Sequence, residues 1–233
     1  MKYLRRFATE AEYKAFVSGD DYDTPNVSLV SESESVKYNV VLGVFIQHIN
    51  GALYTADQWT ANGFSNDLAN GIAVATINAS FVIALQIIKG VAWGANIDVE
   101  GVPNQGFSTA SSQYNGREST TKIIEGLAGK TGSNNITGAP MLENASSYTF
   151  PNGKKGYIPS FGEANIIRSY KSEILALFKV LGSSYSISYL ASSTPFSTNE
   201  ILAMNNFMSG SPGNIHGSKD FTGYGSFILT ELD

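Results

Sequence analysis

The chain has no cysteine and only two histidines among its 233 residues. The absence of cysteine excludes disulfides, cysteine-ligated zinc and thiol catalysis. Charged residues are also scarce, at 15% of the chain, and the formal net charge is −5. Because phosphate binding needs clustered lysine and arginine, this composition predicts no nucleic-acid partner.

Long hydrophobic runs are missing as well. The longest apolar stretch, residues 71–88, is interrupted by polar side chains and alternates in the way that strands do, so we expect no membrane insertion. The first six residues carry positive charge, but no apolar segment follows them, as a signal peptide would require. We therefore expect synthesis in a cytoplasm without an export signal, which is compatible with release on a virion after lysis.

Several short strands are predicted in the first half of the chain. Hydrophobic residues make up 42% of the sequence, which is enough for a core. Asn50-Gly51 lies between two apolar runs and predicts a hairpin over residues 43–54. A turn is predicted at Asn70-Gly71, and two further strands on either side of Asn78-Ala79. Trp59, in a polar stretch between these strands, is expected to be exposed or half-buried.

Two helices are predicted farther along. Residues 94–118 lack periodicity and predict a long surface loop, after which Ser119 caps a short helix. Ser160 stands where a helix N-cap belongs, and Glu163 follows at the capping-box spacing. Apolar residues then recur at helical spacing, which predicts one long core helix that ends at Gly182.

The residues from Ala139 to Glu163 carry a family resemblance. Within them the run Gly-aromatic-aliphatic-Pro-Ser, residues 156–160, leads through Glu163 into the apolar helix. This arrangement resembles the C-type-lectin-like domains of the DUF1566 and Fibrobacter-succinogenes-major-paralogue type. Later stretches resemble the strands that follow in that family, and the similarity before Ala139 is looser. The resemblance implies an α+β fold, with a C-type-lectin-like domain over residues 41–233 made of short antiparallel strands, two helices and long loops.

The chain also departs from this family. Tyr157 stands where the family has tryptophan, and the glutamate–proline–asparagine motif of calcium-dependent lectins is absent. Formylglycine-generating enzymes share the fold, but their chemistry needs cysteine thiols. His48 is expected to pack in a strand and His216 to lie exposed in a loop over residues 213–217, and no serine stands in a nucleophile-elbow motif. We therefore expect no metal, no cofactor and no catalytic residue, so that the protein is not an enzyme.

A ligand surface is implied on the strand at residues 189–194 and on the hairpin after it. Aromatic faces beside short polar side chains suit glycan recognition and protein recognition alike. The alternative is that the aromatic residues belong to the core and the others to ordinary loops. The predicted ligand-binding residues are Tyr189, Ser192, Ser193, Phe196, Asn199, Asn205, Phe207, His216 and Tyr224.

Residues 1–40 carry a second resemblance. Thr9 and Glu12 form a capping-box pattern before a short helix, and two short strands follow. The pattern resembles the N-terminal modules of virion fibre and decoration proteins from phages of gut anaerobes, although an ordinary helix–hairpin cap would have similar features. The resemblance implies a module for virion attachment and oligomerisation. Its predicted partner-binding residues are Phe7, Tyr13, Phe16, Pro25, Asn26, Val27 and Tyr38.

The two resemblances imply a non-enzymatic phage structural protein located on the virion. It would be a head or tail fibre or decoration subunit that displays a lectin-like surface to the host envelope or its glycans. Its expected partners are other virion proteins, further copies of itself in a homotrimer, and a host cell-surface glycan or protein. The alternatives are a purely structural capsid or tail component that binds only virion proteins, and a bacterial surface adhesin.

Overall fold

An eight-stranded sheet runs through the computed structural model, which describes residues 42–184, 186–207 and 213–232. The strand order is β2-β1-β3-β4-β8-β5-β6-β7, and neighbouring strands are antiparallel except for β5 and β8, which are parallel. The strands are β1 (Gly43–His48), β2 (Leu53–Tyr54), β3 (Ala69–Ala75), β4 (Ser80–Lys89), β5 (Tyr189–Pro195), β6 (Glu200–Asn205), β7 (Gly213–Ser218) and β8 (Tyr224–Glu231). The predicted module over residues 1–40 lies outside the described residues.

Six α-helices accompany the sheet in the described part of the chain. They are α1 (Ala56–Ala61), α2 (Phe107–Ala110), α3 (Gly116–Leu127), α4 (Pro140–Ser147), α5 (Phe161–Ser169) and α6 (Lys171–Val180), with a 3₁₀ turn at Asn66–Leu68. The predicted α+β class is therefore confirmed, with a mostly antiparallel sheet.

Helices cover both faces of this sheet. On the first face, Ile72 of β3 shares a core cluster with Phe178 of α6. On the second face, Ala73 of β3 shares another cluster with Ile123 of α3 and Leu142 of α4. Because successive strand residues point to opposite faces, a continuously apolar β3 serves both cores.

The strands also define two ends of the sheet. At one end, which we call the cleft end, Gly43 pairs with Ala75 and Phe81 pairs with Glu231. At the other, which we call the aromatic end, Lys89 pairs with Gly225, and β5 and β8 begin side by side. The two ends lie about 25 Å apart along β8, at the usual rise per residue of a β-strand. The described chain enters at the cleft end, at the residue before Gly43.

The predicted hairpins are confirmed. In the first, Ile46 pairs with Tyr54. In the second, the turn between β3 and β4 is held by the Thr76 hydroxyl, which accepts from the backbone N–H of Asn78 at 3.2 Å and of Ala79 at 3.0 Å. Both turns depend on contacts between near neighbours, which a local pattern can encode.

The turn predicted at Asn70-Gly71 is wrong, because both residues lie inside β3. The buried Asn70 amide donates to Gln47 Oε1 at 2.6 Å, and its oxygen accepts from the Asn152 backbone N–H at 3.0 Å. A Cβ on Gly71 would overlap the carbonyl oxygen of Ile83 in the next strand. This Asn-Gly pair therefore joins distant segments and permits close strand packing instead of reversing the chain.

Trp59 is also buried, contrary to the expected exposure. It lies on α1, which begins with a capping box between Thr55 and Gln58. Its indole N–H donates to Asn66 Oδ1 at 3.3 Å, and its ring lies 5.1 Å from that of Phe64. The surrounding sequence is polar because only this side of the short helix meets the core.

The helices after residue 94 differ in extent from the expectation. Helix α3 begins at Gly116, so Ser119 is a buried residue of its first turn and does not cap it. Helix α4 was not predicted, and it begins with Pro140 in a first-turn position. The long surface loop is interrupted by α2, so residues 94–118 are more ordered than their composition indicates.

The N-terminus of the strongest predicted helix is confirmed, with Ser160 and Glu163 in a capping box. The single long helix is instead two, since Tyr170 departs from helical geometry between α5 and α6. Gly182 ends α6 as predicted: its φ is +68°, and the following N–H, from Ser183, donates to the Phe178 carbonyl at 2.9 Å.

Residues 213–217 are not a loop, because they belong to the edge strand β7, which pairs only with β6 among the described strands. Its sequence is rich in glycine and lacks apolar alternation, so tertiary pairing alone makes it a strand. His216 is exposed on it, as expected. None of the helices described here is both long enough and apolar enough to cross a bilayer.

Candidate functional site

The predicted ligand residues do not form one surface. Tyr189, Asn205 and Tyr224 lie together at the aromatic end on the second face, whereas Phe196 and His216 lie on the first face near the start of β6. Asn199 is exposed in the turn between β5 and β6.

Four of the predicted ligand residues, Ser192, Ser193, Phe207 and Tyr224, are buried and offer no exposed side chain to a ligand, as the alternative of core residues would have it for Phe207. The Ser192 hydroxyl donates to the Leu202 carbonyl at 2.7 Å, and Phe207 packs edge-on against Phe227 at 5.7 Å. Strand β5 lies between β8 and β6 and is covered on both faces, which leaves its serines no route to solvent. Through its bond to Leu202, Ser192 joins β5 to β6, whereas the Ser193 hydroxyl has no hydrogen-bond partner among the described residues.

Three aromatic residues form a surface that we call the aromatic patch: Tyr189, Phe221 and Tyr224. Tyr189 and Phe221 are 38% and 44% exposed, whereas Tyr224 is only 3% exposed and lies beneath them. The rings meet edge-to-face, with centroids 5.7 Å apart for Tyr189 and Phe221 and 4.9 Å apart for Phe221 and Tyr224. Such pairs favour a fixed mutual geometry, so two exposed rings rest on a buried third. Phe221 was missed by the sequence analysis because its partner, Tyr189, lies in a distant strand.

A buried hydroxyl and an amide border the patch. Burial, followed by the negative charge of Glu200, raises the pKa of Tyr224 to about 12, so its hydroxyl remains protonated at neutral pH. The side chain of Asn205, which lies opposite Tyr189 in the strand pairing, accepts from the Gly213 N–H at 3.0 Å. The patch therefore combines exposed aromatic area with hydrogen-bonding groups.

Phe221 is carried by a short crossover, residues 219–223, which joins the parallel strands β7 and β8 over the second face. Lys219 anchors this crossover and is only 1% exposed. Its ammonium donates to the Ile97 carbonyl at 3.3 Å and lies 5.1 Å from the centroid of the Trp93 ring. Burial lowers the pKa of Lys219 to about 8, and the charge of Asp98 opposes that effect.

A second aromatic group, which we call the histidine stack, consists of Phe107, Phe196 and His216. The rings of Phe196 and His216 are nearly parallel with centroids 4.3 Å apart, and Phe107 lies 6.2 Å from Phe196. His216 Nδ1 is 2.8 Å from Glu200 Oε1. The stack faces α5 and belongs to a different surface from the aromatic patch.

The cleft end contains an open polar cleft of ≈ 450 Å³. Its walls are the turn between β3 and β4, the start of α3 and the end of β8. The residues that line it are Asn78, Ala79, Ser80, Tyr114, Asn115, Arg117, Glu118, Tyr157, Glu163 and Glu231. The sequence analysis did not find this cleft, because the residues that line it come from four distant segments.

The floor of the cleft is a buried hydrogen-bond network around Glu163. Its carboxylate accepts from the Ser160 backbone N–H at 2.7 Å, from the Tyr157 hydroxyl at 3.2 Å and from the backbone of Gly116. It thus lies at the N-termini of both α3 and α5, where a negative charge is favoured. Burial raises the pKa of Glu163 despite these hydrogen bonds, and burial together with Glu163 raises the pKa of Tyr157 well above its usual range.

The described residues contain no group of three or more histidine, aspartate or glutamate side chains that could hold a metal ion. The predicted partner-binding residues, from Phe7 to Tyr38, all lie outside the described part of the chain.

Comparisons with known proteins give one structural similarity. No protein-family model and no curated protein sequence matches the chain. Its fold is similar to the crystal structure of a fimbrial protein from Bacteroides ovatus ATCC 8483, with a TM-score of 0.56 and 15% sequence identity. The match covers 82% of this chain and 48% of the fimbrial protein, so the chain spans about half of that protein's length. At this identity the likeness concerns the fold alone.

Proposed function

We propose that this protein is a non-enzymatic display subunit with a C-type-lectin-like fold, and that its aromatic patch binds a glycan or protein of a bacterial envelope. The observation that carries the proposal is the exposure of Tyr189 and Phe221 above the buried Tyr224. Exposed aromatic pairs on a rigid base are typical of recognition surfaces, because the rings lose little conformational entropy on binding. Their faces stack on the apolar faces of sugars or on protein side chains.

The position of the patch supports a display role. The described chain begins just before Gly43 at the cleft end, and the patch lies at the aromatic end, about 25 Å away along β8. A module over residues 1–40 that attaches to a particle would join the described chain at the cleft end, and the patch lies at the other end of the sheet. We propose a virion as that particle, with other virion proteins and a homotrimer of this chain as partners.

A fold similar to that of a fimbrial protein supports a related setting, in which the particle is an appendage of a bacterial surface. The display role is the same in both settings. Only the structure to which the chain is attached differs.

A purely structural component that binds other subunits is the second candidate, and the edge of the sheet favours it. The backbone N–H of Lys219 donates to the Asn199 carbonyl at 3.0 Å. In an antiparallel pair the residues of a strand alternate between facing the partner strand with both backbone groups and facing away from it, so this bond fixes which residues of β7 face β6. By that alternation, the backbone groups of Asn214 and His216 point away from β6. No described residue pairs with these groups, and such an edge can receive a strand from another chain.

The first experiment is a binding assay with the full chain coupled to beads for avidity. The beads are incubated with bacterial cells that carry or lack a capsule, and with purified surface polysaccharides. The double variant Tyr189→Ala/Phe221→Ala should lose binding at least tenfold. Ile77→Ala is the matched control, since Ile77 is 84% exposed at the opposite end of the sheet.

Binding that depends on the two rings and not on Ile77 supports the display role. Binding that survives in the double variant assigns recognition to another surface. If no cells or polysaccharides are bound, a structural role remains, and strand addition at β7 becomes the next test.

A further inference from the structure

The polar cleft at the cleft end has the size of a small-molecule site. Its volume of ≈ 450 Å³ falls within the range of about 300–1,000 Å³ that is usual for ligand pockets. It opens between the β3–β4 turn, the start of α3 and the end of β8, and it is remote from the aromatic patch. Neither the aromatic patch nor the histidine stack shares a residue with it.

The charges of the cleft favour a neutral ligand. Arg117 Nε is 3.0 Å from Glu231 Oε1, and Lys122 Nζ is 2.6 Å from Glu118 Oε1. Glu163 is enclosed by its own hydrogen bonds in the floor. A charged ligand would have to compete with one of these pairs, whereas a neutral ligand can accept and donate hydrogen bonds without separating them.

Unused hydrogen-bonding groups line the same cleft. Among the described residues, no side chain or backbone group pairs with the side-chain amides of Asn78 and Asn115 or with the hydroxyls of Ser80 and Tyr114. Asn115 precedes α3 without capping it, so its amide is available to a ligand. Amide, carboxylate and guanidinium groups are planar and can each contact two adjacent polar atoms. Neighbouring hydroxyls on a sugar ring present that arrangement of donors and acceptors.

An aromatic wall completes the arrangement. The Tyr114 ring is partly exposed in the cleft, whereas the Tyr157 ring below it is buried and has the Arg117 guanidinium 5.8 Å from its centroid. Tyr114 packs partly against the core of the first face, and the part of its ring that remains exposed offers an apolar surface to the C–H face of a sugar, with a polar hydroxyl at its rim. The hydrogen bonds of Glu163 fix the floor before any ligand arrives, which lowers the entropic cost of binding.

From this combination we propose that the cleft binds a neutral saccharide unit. Tyr114 stacks on the sugar ring, and Asn78, Asn115 and Arg117 form hydrogen bonds with its hydroxyls. The proposal is independent of the display function, because the cleft and the aromatic patch share no residue.

The test is saturation-transfer NMR on the full chain with a panel of neutral hexoses, N-acetylhexosamines and their disaccharides. A glucosamine and a glucuronate serve as charged comparisons. We expect binding of at least one neutral sugar, and a loss of affinity of tenfold or more in Asn115→Ala. Tyr114→Phe, which retains the ring, should bind more tightly than Tyr114→Ala, which loses it.

Two controls separate this site from general effects. Asn62→Ala changes another exposed asparagine outside the cleft and should leave the sugar affinity unchanged. The measurements are repeated in a Tyr189→Ala/Phe221→Ala background, which removes any sugar bound at the aromatic patch, so that the result for the cleft is separate from the result for the patch. Thermal melts of each variant identify any loss of folding.

Three outcomes would overturn the proposal. One is that no neutral sugar in the panel binds. Another is that binding persists in a folded Asn115→Ala/Tyr114→Ala variant in which Tyr189 and Phe221 are also replaced by alanine. The third is that glucosamine or glucuronate binds more tightly than every neutral sugar, which would assign the cleft to a charged ligand.

Discussion

The cleft end and the aromatic end of the same sheet are built by different means. At the cleft end a buried carboxylate, that of Glu163, joins the starts of two helices through hydrogen bonds. At the aromatic end Tyr224 supports two exposed rings mainly by edge-to-face contacts. Removing one partner from a buried polar network leaves unsatisfied groups, whereas removing an exposed ring exposes little new surface. We therefore expect folding to depend on the cleft floor and to tolerate changes in the patch.

The largest effect should come from Glu163→Ala. This change leaves the backbone donors of Ser160 and Gly116 without their buried acceptor, and it should lower the free energy of unfolding by about 3 kcal/mol. Urea unfolding of the purified protein measures it. The control Glu118→Ala removes an exposed carboxylate of the same cleft and should cost about 0.5 kcal/mol or less. Equal losses in the two variants would show that the buried network is not what stabilises this end.

The next effect concerns pH and the crossover that carries Phe221. Burial lowers the folded-state pKa of Lys219 from 10.5 to about 8. Between pH 8 and pH 10.5 this lysine is more fully protonated in the unfolded chain than in the folded protein. Because stability rises with pH wherever the unfolded state binds more protons, Lys219 makes the protein more stable as pH rises from 8 to 10.5. Relative to Lys219→Met, the wild type should gain stability over that window.

Thermal melts of both proteins at pH 7 to 10.5 test this expectation. Lys179→Met changes an exposed lysine and serves as the control. Parallel pH profiles for wild type and Lys219→Met would contradict the structural assignment of Lys219 as a buried amine.

A smaller change in stability is expected from Tyr189→Ala/Phe221→Ala. Both rings are more than one third exposed, so the free energy of unfolding should fall by about 1 kcal/mol or less while binding is lost. Chemical denaturation gives the stability, and the bead assay gives the binding. A loss as large as that of Glu163→Ala would mean that the rings serve the fold and would remove the main reason to call them a recognition surface.

The smallest effect should come from Arg117→Gln at the rim of the cleft. Its ion pair with Glu231 is exposed, and such pairs contribute between about 0 and 1 kcal/mol. Unfolding in low and high salt should therefore give nearly the same stability for the variant and the wild type. A marked, salt-dependent loss would show that the rim, and not only the floor, holds this end together.

Features that depend on neighbouring residues were predictable from the sequence. Ser160 and Glu163 are three residues apart, and their capping box was found from that spacing alone. Gly182 was placed at a helix end because few other residues adopt its backbone angles readily. The hairpins at residues 43–54 and 72–85 followed from alternation and turn residues.

Features that depend on distant segments were missed. Asn70-Gly71 has the composition of a turn, but its side-chain partners are Gln47 and Asn152, and only the fold brings them together. Strand β7 has little strand propensity and exists because β6 pairs with it. Phe221 of the aromatic patch was missed for the same reason, since Tyr189 and Phe221 meet only where β5 and β8 lie side by side.

The sequence by itself determined the principal turns and the start and end of the strongest helical segment, and its family resemblance implied the α+β class. The turns and the helix ends follow from short-range sterics and hydrogen bonds, which act between residues a few positions apart. The tertiary structure alone decided which serines are buried, which aromatic rings form the patch and where the polar cleft opens. Those properties depend on strand order and on burial against remote segments, which residue spacing does not record.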